Sequence, residues 1–263
     1  MILRVAAAQG VAVAGDLAAN VATAAELVRS AADQGAEVVV LPEAFLTGYD
    51  LAVFAGPLPA LVDLPLTPLV AAARDTGAVV VASSALSSGG VATLSSVVVG
   101  PDGAVDVPYD KQHLDSDEKR FFTAGDHGAS IRVRGLELGL SICYDGCFPE
   151  HARAAADDGA VAYLSSSAYF TGGEHRRDLY YAARAVENGM YVVFAGLTGP
   201  CGDASFSGGS AVYDPEGRAL VRLGDEPGVA VADVDTSVVE ATRARHTMLA
   251  DHRAGGLGER VRL

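Results

Sequence analysis

The sequence predicts a layered α/β domain, and three observations carry that prediction. Short, nearly continuous apolar runs such as "EVVVLPE" (37–43) and "YVVFAG" (191–196) read as buried strands. Ala-rich amphipathic stretches of helical length separate them. Two Pro/Gly turns flanked by β-type residues add hairpins, which argues against an open, all-parallel sheet. Where two such sheets face each other, helices outside them complete four layers, α-β-β-α.

In chain order, "ILRVAAAQ" (2–9) is a strand, and "DLAANVATAAELVRSAADQGA" is a helix with Asp16 as N-cap and Gly35 closing it. "EVVVLPE" is a strand ended by Pro42. In "LTPLVAAARDTGA" Thr67 is the expected cap and Pro68 the first helical residue. Strand "VVVASSAL" follows. "VATLSSVVVGPDGAVDVPYDK" is a hairpin about Pro101-Asp102-Gly103, and "SAVYDPEGRALVRL" is another about Asp214-Pro215-Glu216-Gly217. Between them lie strand "LELGLSI", helix "PEHARAAADDGA", strand "VAYLSS", helix "EHRRDLYYAARAVENG" and strand "YVVFAG". Strand "GVAVADVD" and a short helix end the regular part. No linker or longer repeat divides the chain, so residues 1–263 form one expected domain, with 251–263 a polar tail placed at a possible dimer interface.

Charge and length narrow the function. The 33 acids against 19 bases, a formal charge of −14, disfavour nucleic acid and anionic membranes as partners. No run approaches the roughly 20 apolar residues that span a bilayer. The N-terminus lacks a signal-peptide layout, and Cys143, Cys147 and Cys201 fall at no disulfide or zinc spacing. A reduced, cytoplasmic chain is expected.

Three reactive side chains end predicted strands, where ligands of layered α/β proteins collect. Glu43 follows "EVVVLP", Lys111 follows "AVDVPYD" and Cys143 follows "LELGLSI". Leu136, Leu138, Leu140 and Ile142 share one strand face, which leaves Cys143 in the opposite phase. Lys111 shares its phase with Val105, Val107 and Tyr109, and a lysine turned inward needs a partner. The bland alternative for each is a core thiol, a solvated carboxylate and a surface ammonium. Together they form a nucleophile, a base and a cation, with the Tyr144 N–H as a second donor for an oxyanion.

"VVVLPEAFLTGY" (38–49), "YDKQHLDSDEKRFFTAGD" (109–126) and "LGLSICYDGCFPEHAR" (138–153) resemble the three signature segments of the nitrilase superfamily, the carbon–nitrogen hydrolases. "VAAAQ", "RAVENGMYVV" and "FSGGSAVYDPEG" extend the resemblance along nearly the whole chain. It implies a four-layer α-β-β-α sandwich, a homodimer or higher homo-oligomer, and no metal or other cofactor. By position it assigns Glu43 as general base, Lys111 as the oxyanion cation, Cys143 as nucleophile and Glu118 as the second glutamate that positions substrate. The implied reaction is cleavage of a non-peptide carbon–nitrogen bond through a cysteine thioester.

The substrate class is narrower than the family's range. Nitrile-cleaving members carry Trp-Glu after the nucleophile; here Tyr144-Asp145 follows, and the chain has no tryptophan. A carboxamide or ω-amide that releases ammonia is therefore expected first. An N-carbamoyl compound, a nitrile and acyl transfer to an amine remain alternatives. In "SSSAYFTGGEHRR" (165–177), Tyr169 and Phe170 are candidates to pack on substrate. Arg176 or Arg177 is a candidate partner for a carboxylate, set against the plainer reading of both as helix-surface charges. Cys147 is expected in the core, Cys201 in a loop, and His113-Leu-Asp115-Ser-Asp117 as a solvated turn rather than a hard-metal site.

Overall fold

The computed structural model of the chain describes residues 1–253, so residues 254–263 of the expected tail lie outside the described residues. Most expected elements form. β1 is Ile2–Gln9, and α1 (Leu17–Ala32) starts on Asp16, whose carboxylate accepts from the Ala19 N–H at 3.0 Å. β2 spans only Val38–Val40, so Pro42 and Glu43 lie beyond it rather than inside. A short α2 (Leu51–Ala55) follows, unforeseen and capped by Asp50. In α3 (Thr67–Thr76) the cap is Leu66, with no side-chain bond, and Thr67 already lies within the helix. Pro68 in the first turn needs no amide partner, which removes the demand for a polar cap.

β3 (Val79–Ser88), β4 (Val91–Val99) and β5 (Val105–Asp110) form a meander, followed by β6 (Ser130–Val133) and β7 (Leu136–Ile142). Next come α4 (Pro149–Asp157), β8 (Ala162–Ser167), α5 (Glu174–Asn188) and β9 (Tyr191–Gly196). A hairpin of β10 (Thr198–Cys201) and β11 (Ala204–Ser207) precedes β12 (Ala211–Tyr213), β13 (Ala219–Arg222) and β14 (Gly228–Asp235). The described chain ends with α6 (Thr236–Arg245) and α7 (Met248–Asp251).

Two six-stranded sheets result, ordered β14-β1-β2-β3-β4-β5 and β13-β12-β9-β8-β7-β6. In each, three central strands run parallel and the flanking strands antiparallel. The sheets pack face to face through Val5, Val38, Val40, Leu138, Leu140, Ile142 and Val193. Val21, Val28 and Leu69 of α1 and α3 cover one outer face, and Ala152, Tyr181 and Ala185 of α4 and α5 cover the other. The expected α-β-β-α sandwich is thus present.

One strand departs from simple alternation. The β4–β5 register shifts between Ser96 and Val98. As a result Val105 and Val107 pack on the α1/α3 side while Tyr109 points between the sheets. Lys111 therefore does not share a face with Val105 and Val107, and it is the extra residue of the bulge that redirects the strand end.

The parallel strands of both sheets place their carboxyl ends at one edge of the sandwich. There the Glu43 N–H donates to Ser167 O at 3.3 Å, a main-chain link from beyond β2 to the end of β8 in the other sheet. Asp16→Ala should cost about 1 kcal/mol, and thermal unfolding should show a Tm lower by about 2–4 °C. The Asp16 carboxylate bonds within its own helix start and touches neither Glu43, Lys111 nor Cys143, so catalytic rates should change far less than stability.

Candidate active site

The nucleophile candidate stands in an unusual backbone conformation. Cys143 follows β7 at φ +43°, a region that costs a non-glycine residue free energy unless the surroundings impose it. It begins a 3-10 turn, Cys143–Cys147, and several side chains hold that turn. The buried Asp145 carboxylate accepts from the Ile142 N–H at 3.0 Å, the His113 N–H at 2.9 Å and the Tyr109 hydroxyl at 2.6 Å. The Tyr181 hydroxyl donates to Cys143 O at 2.9 Å, and Arg184 donates to Gly146 O at 2.8 Å. Residue 146 must be glycine for Tyr181 to lie there, since a Cβ would come within 2.6 Å of its ring.

Behind this turn, His113, Asp145 and His151 bring ligand-type atoms within 4.8 Å of one another. Their hydrogen bonds are mutually consistent without a metal. The Tyr109 hydroxyl proton goes to Asp145, so His151 Nε2 donates to the Tyr109 oxygen at 2.9 Å and its Nδ1 accepts from Tyr163 at 2.8 Å. His113 Nδ1 then donates to Asp145 at 2.9 Å, which fills all four acceptor positions of that carboxylate. Burial raises the Asp145 pKa, but these donors outweigh it and hold the group below the usual carboxylate range. Burial keeps His151 below its ordinary pKa, and neutral. His113 is half-buried in this network rather than in a solvated turn.

Glu43, Lys111 and Glu118 meet beside the thiol, all essentially without solvent contact. Lys111 Nζ lies 2.6 Å from Glu43 Oε1, 2.6 Å from Glu118 Oε1 and 2.7 Å from Glu118 Oε2. The second oxygen of Glu43 has no hydrogen-bond partner. The Cys143 thiol donates to Ala168 O at a long 3.8 Å, yet lies near enough to Glu43 to help stabilise its carboxylate.

These contacts set the proton affinities. Burial drives the Glu43 pKa up to about 8, because Lys111 only partly offsets the lost hydration and Glu118 adds repulsion. Burial alone would lower Lys111, but the two carboxylates reverse that and keep it firmly cationic. Burial and then the Glu43 charge push the Cys143 thiol well up, so it rests protonated.

A cavity of about 390 Å³ opens over this cluster, walled by Tyr49, Tyr144, Tyr169, Phe170 and Tyr180 beside Cys143 and Lys111. Tyr144 and Tyr169 thus both reach the cavity. Arg176 stands at its rim, exposed. Arg177 does not: it is buried, donating to Gly208 O at 2.8 Å and paired with Asp178 at 2.7 Å, which ties α5 to the chain beyond β11. Cys147 is no core residue but lines the cavity, its sulfur 3.5 Å from the Tyr169 hydroxyl. Cys201 ends β10 and packs in the α1/α3-side core rather than in a loop. Sequence reading missed Tyr49, Asp145 and Tyr181; all three stand inside stretches it quoted, but nothing local distinguished their roles.

The model of the carbon-nitrogen hydrolase family matches residues 4–244. The chain belongs to that family. A nitrilase of Pyrococcus abyssi is 35% identical over 230 residues, covering 85% of this chain and 86% of that one. An (R)-stereoselective amidase of a Pseudomonas species is 32% identical over 254 residues, covering 94% and 90%. Among solved structures, a glutamate-to-glutamine mutant of the amidase from Nesterenkonia sp. AN1 superposes with a TM-score of 0.85 at 31% identity, covering 96% of this chain and 94% of that one. That structure shows covalent addition of the acetamide moiety of fluoroacetamide at its active-site cysteine.

The raised Glu43 pKa is also a statement about stability. Its ordinary value is near 4.5 and its folded value about 8, so the folded state holds this proton more tightly. The contribution is full below pH 4.5 and is lost as pH climbs through about 8. Glu43→Gln cannot ionise, so its Tm relative to the parent should rise steadily between pH 5 and pH 8.5. Melting curves that keep a constant difference over that range would exclude the shift.

Proposed function

We propose that this carbon–nitrogen hydrolase cleaves a linear carboxamide or ω-amide to the acid and ammonia through a thioester on Cys143. The observation that carries the reading is the Lys111 ammonium bridging Glu43 and Glu118 beside the thiol. In the first step Glu43 takes the Cys143 proton while sulfur bonds the carbonyl carbon and the carbonyl π pair moves to oxygen. A carboxylate at an ordinary pKa is a poor base for a thiol proton, and it is the ionised fraction of Glu43 that accepts it. Raised to about 8, Glu43 is poised for it.

The oxyanion is received by Lys111 and the Tyr144 N–H, which lies in the first turn of the 3-10 segment, where amides lack intrahelical partners. Glu43 then returns the proton to nitrogen, the C–N bond breaks, and ammonia leaves. Water attacks the thioester with Glu43 again taking a proton. The C–S bond breaks and the thiol is restored.

Hydrogen-bond counting favours an amide over a nitrile. At rest all three Lys111 protons are spent, one on Glu43 and two on Glu118. For Lys111 to hold a carbonyl oxygen, one Glu118 bond must open and leave that carboxylate short of a donor. An amide N–H supplies the missing donor, and a nitrile nitrogen has none. A buried acceptor left unpaired costs about 1–3 kcal/mol, a discrimination of about fivefold to 150-fold. Tyr144 and Tyr169 form walls against which the acyl group packs. A homodimer in the cytoplasm belongs to the same reading. Among the described residues no helix is long and apolar enough to cross a membrane.

Intact-mass measurement of the parent against a panel of amides, carbamoyl compounds and nitriles should show a mass gain equal to the acyl half of the preferred substrate, greatest for amides. Cys143→Ala should show neither adduct nor ammonia release, with a Tm within about 3 °C of the parent. Ammonia release retained by that variant would discard the thioester.

A further inference from the structure

We infer that Tyr49 is a positioning residue that anchors Glu118 while Lys111 exchanges partners, a step that rests on the amide reading above. Tyr49 reaches this place through a close passage of the chain. The preceding Gly48, at φ +79°, packs where a Cβ would come within 2.8 Å of Ala14 Cα. The Tyr49 ring is then held edge-on by Phe54 at 5.0 Å, Phe206 at 5.6 Å and Phe170 at 6.0 Å. Its polar atom is the hydroxyl, which donates to Glu118 Oε1 at 2.8 Å.

The Glu118 carboxylate is thereby saturated. Oε1 accepts from Lys111 and Tyr49, and Oε2 from Lys111 and the Asp115 N–H at 2.9 Å. Two of these donors belong to Lys111 and must be released in part when a substrate carbonyl arrives. The other two, Tyr49 and the Asp115 amide, keep the carboxylate fixed on opposite oxygens. Without the Tyr49 hydroxyl, Oε1 depends on Lys111 alone. The carboxylate then follows the ammonium instead of staying to receive the substrate N–H. Burial, and then the charges of Glu43 and Glu118, keep the phenol protonated, so it remains a donor throughout.

Tyr49→Phe tests this, because the aromatic contacts need only the ring. With a small amide as substrate, kcat should fall about tenfold or more, the usual scale for one hydrogen bond to a charged group, while KM stays within about threefold. The deciding measurement is the cycle with Glu118→Gln, read as the rate of acyl-adduct formation by intact mass. If Tyr49 acts through Glu118, adding Tyr49→Phe to Glu118→Gln should slow acylation no further. Equal, multiplicative losses in both backgrounds would overturn the inference, as would an unchanged kcat in Tyr49→Phe alone. A parent that neither forms an adduct nor releases ammonia would instead defeat the amide reading. The same four proteins would then decide by Tm: additive shifts reject the Tyr49–Glu118 link and coupled shifts uphold it.

Discussion

A lysine ammonium with no access to water is the constraint on which this edge of the molecule depends. Leaving such a charge unpaired in the interior costs several kcal/mol, so Lys111 can be there only if carboxylates come with it. Two do. One positive and two negative charges cannot be balanced in a dry site, and the imbalance falls on Glu43. It shares Lys111 with a better-bonded rival, has one oxygen unpartnered, and holds a proton up to about pH 8. The unusual carboxyl is thus a consequence first of burial and then of repulsion by Glu118, which Lys111 opposes only in part.

The thiol's place is set by a different network. Cys143 sits at a positive φ that its own side chain does not favour, at the sharp change from β7 to a 3-10 turn. That conformation is imposed by bonds to its neighbours: Asp145 draws in the Ile142 N–H, and Tyr181 and Arg184 fix the carbonyls of Cys143 and Gly146. Asp145 in turn joins Tyr109 of the first sheet to His113, two residues beyond Lys111. The segment that carries the cation and the segment that carries the sulfur are therefore clamped by one buried carboxylate. A shift in either is felt by both.

Much of this was legible in the chain because the strands carry strong, simple signals. β1, β7, β9 and β14 fall where the apolar runs put them, and Leu138, Leu140 and Ile142 face the other sheet as alternation requires. Glu43, Lys111 and Cys143 were found because each ends such a run. Alternation fails where backbone geometry intervenes. The β4–β5 bulge falls at Val107-Pro108, where the proline marks an irregularity but not which way the chain turns, and it reversed the face inferred for Val105 and Val107. Thr67 resembles a cap, yet Pro68 removed the need for one. Arg177 and Cys147 show the same limit from the other side. One reads as surface and is buried by bonds to β11 and the chain beyond it, and the other reads as core and lines the cavity. Tyr49 was invisible as a partner of Glu118, since the two stand far apart in sequence.

The count of donors around the cluster says what kind of event the site is built for. Lys111 has no spare proton, Glu118 has no spare acceptor, and Glu43 has one oxygen without a partner. A ligand that only accepts hydrogen bonds can reach Lys111 solely by breaking one of these bonds and leaving a buried carboxylate short of a donor. A ligand that accepts at one atom and donates at its neighbour can replace a Lys111–Glu118 bond with two of its own, at no net loss of pairing. The planar amide carries that pair of functions about 2.3 Å apart, the spacing between its oxygen and nitrogen fixed by peptide-type geometry. In the proposed reaction, recognition and activation are then the same exchange. The bond that Lys111 gives up to Glu118's new partner is the one it makes to the oxygen where negative charge will develop.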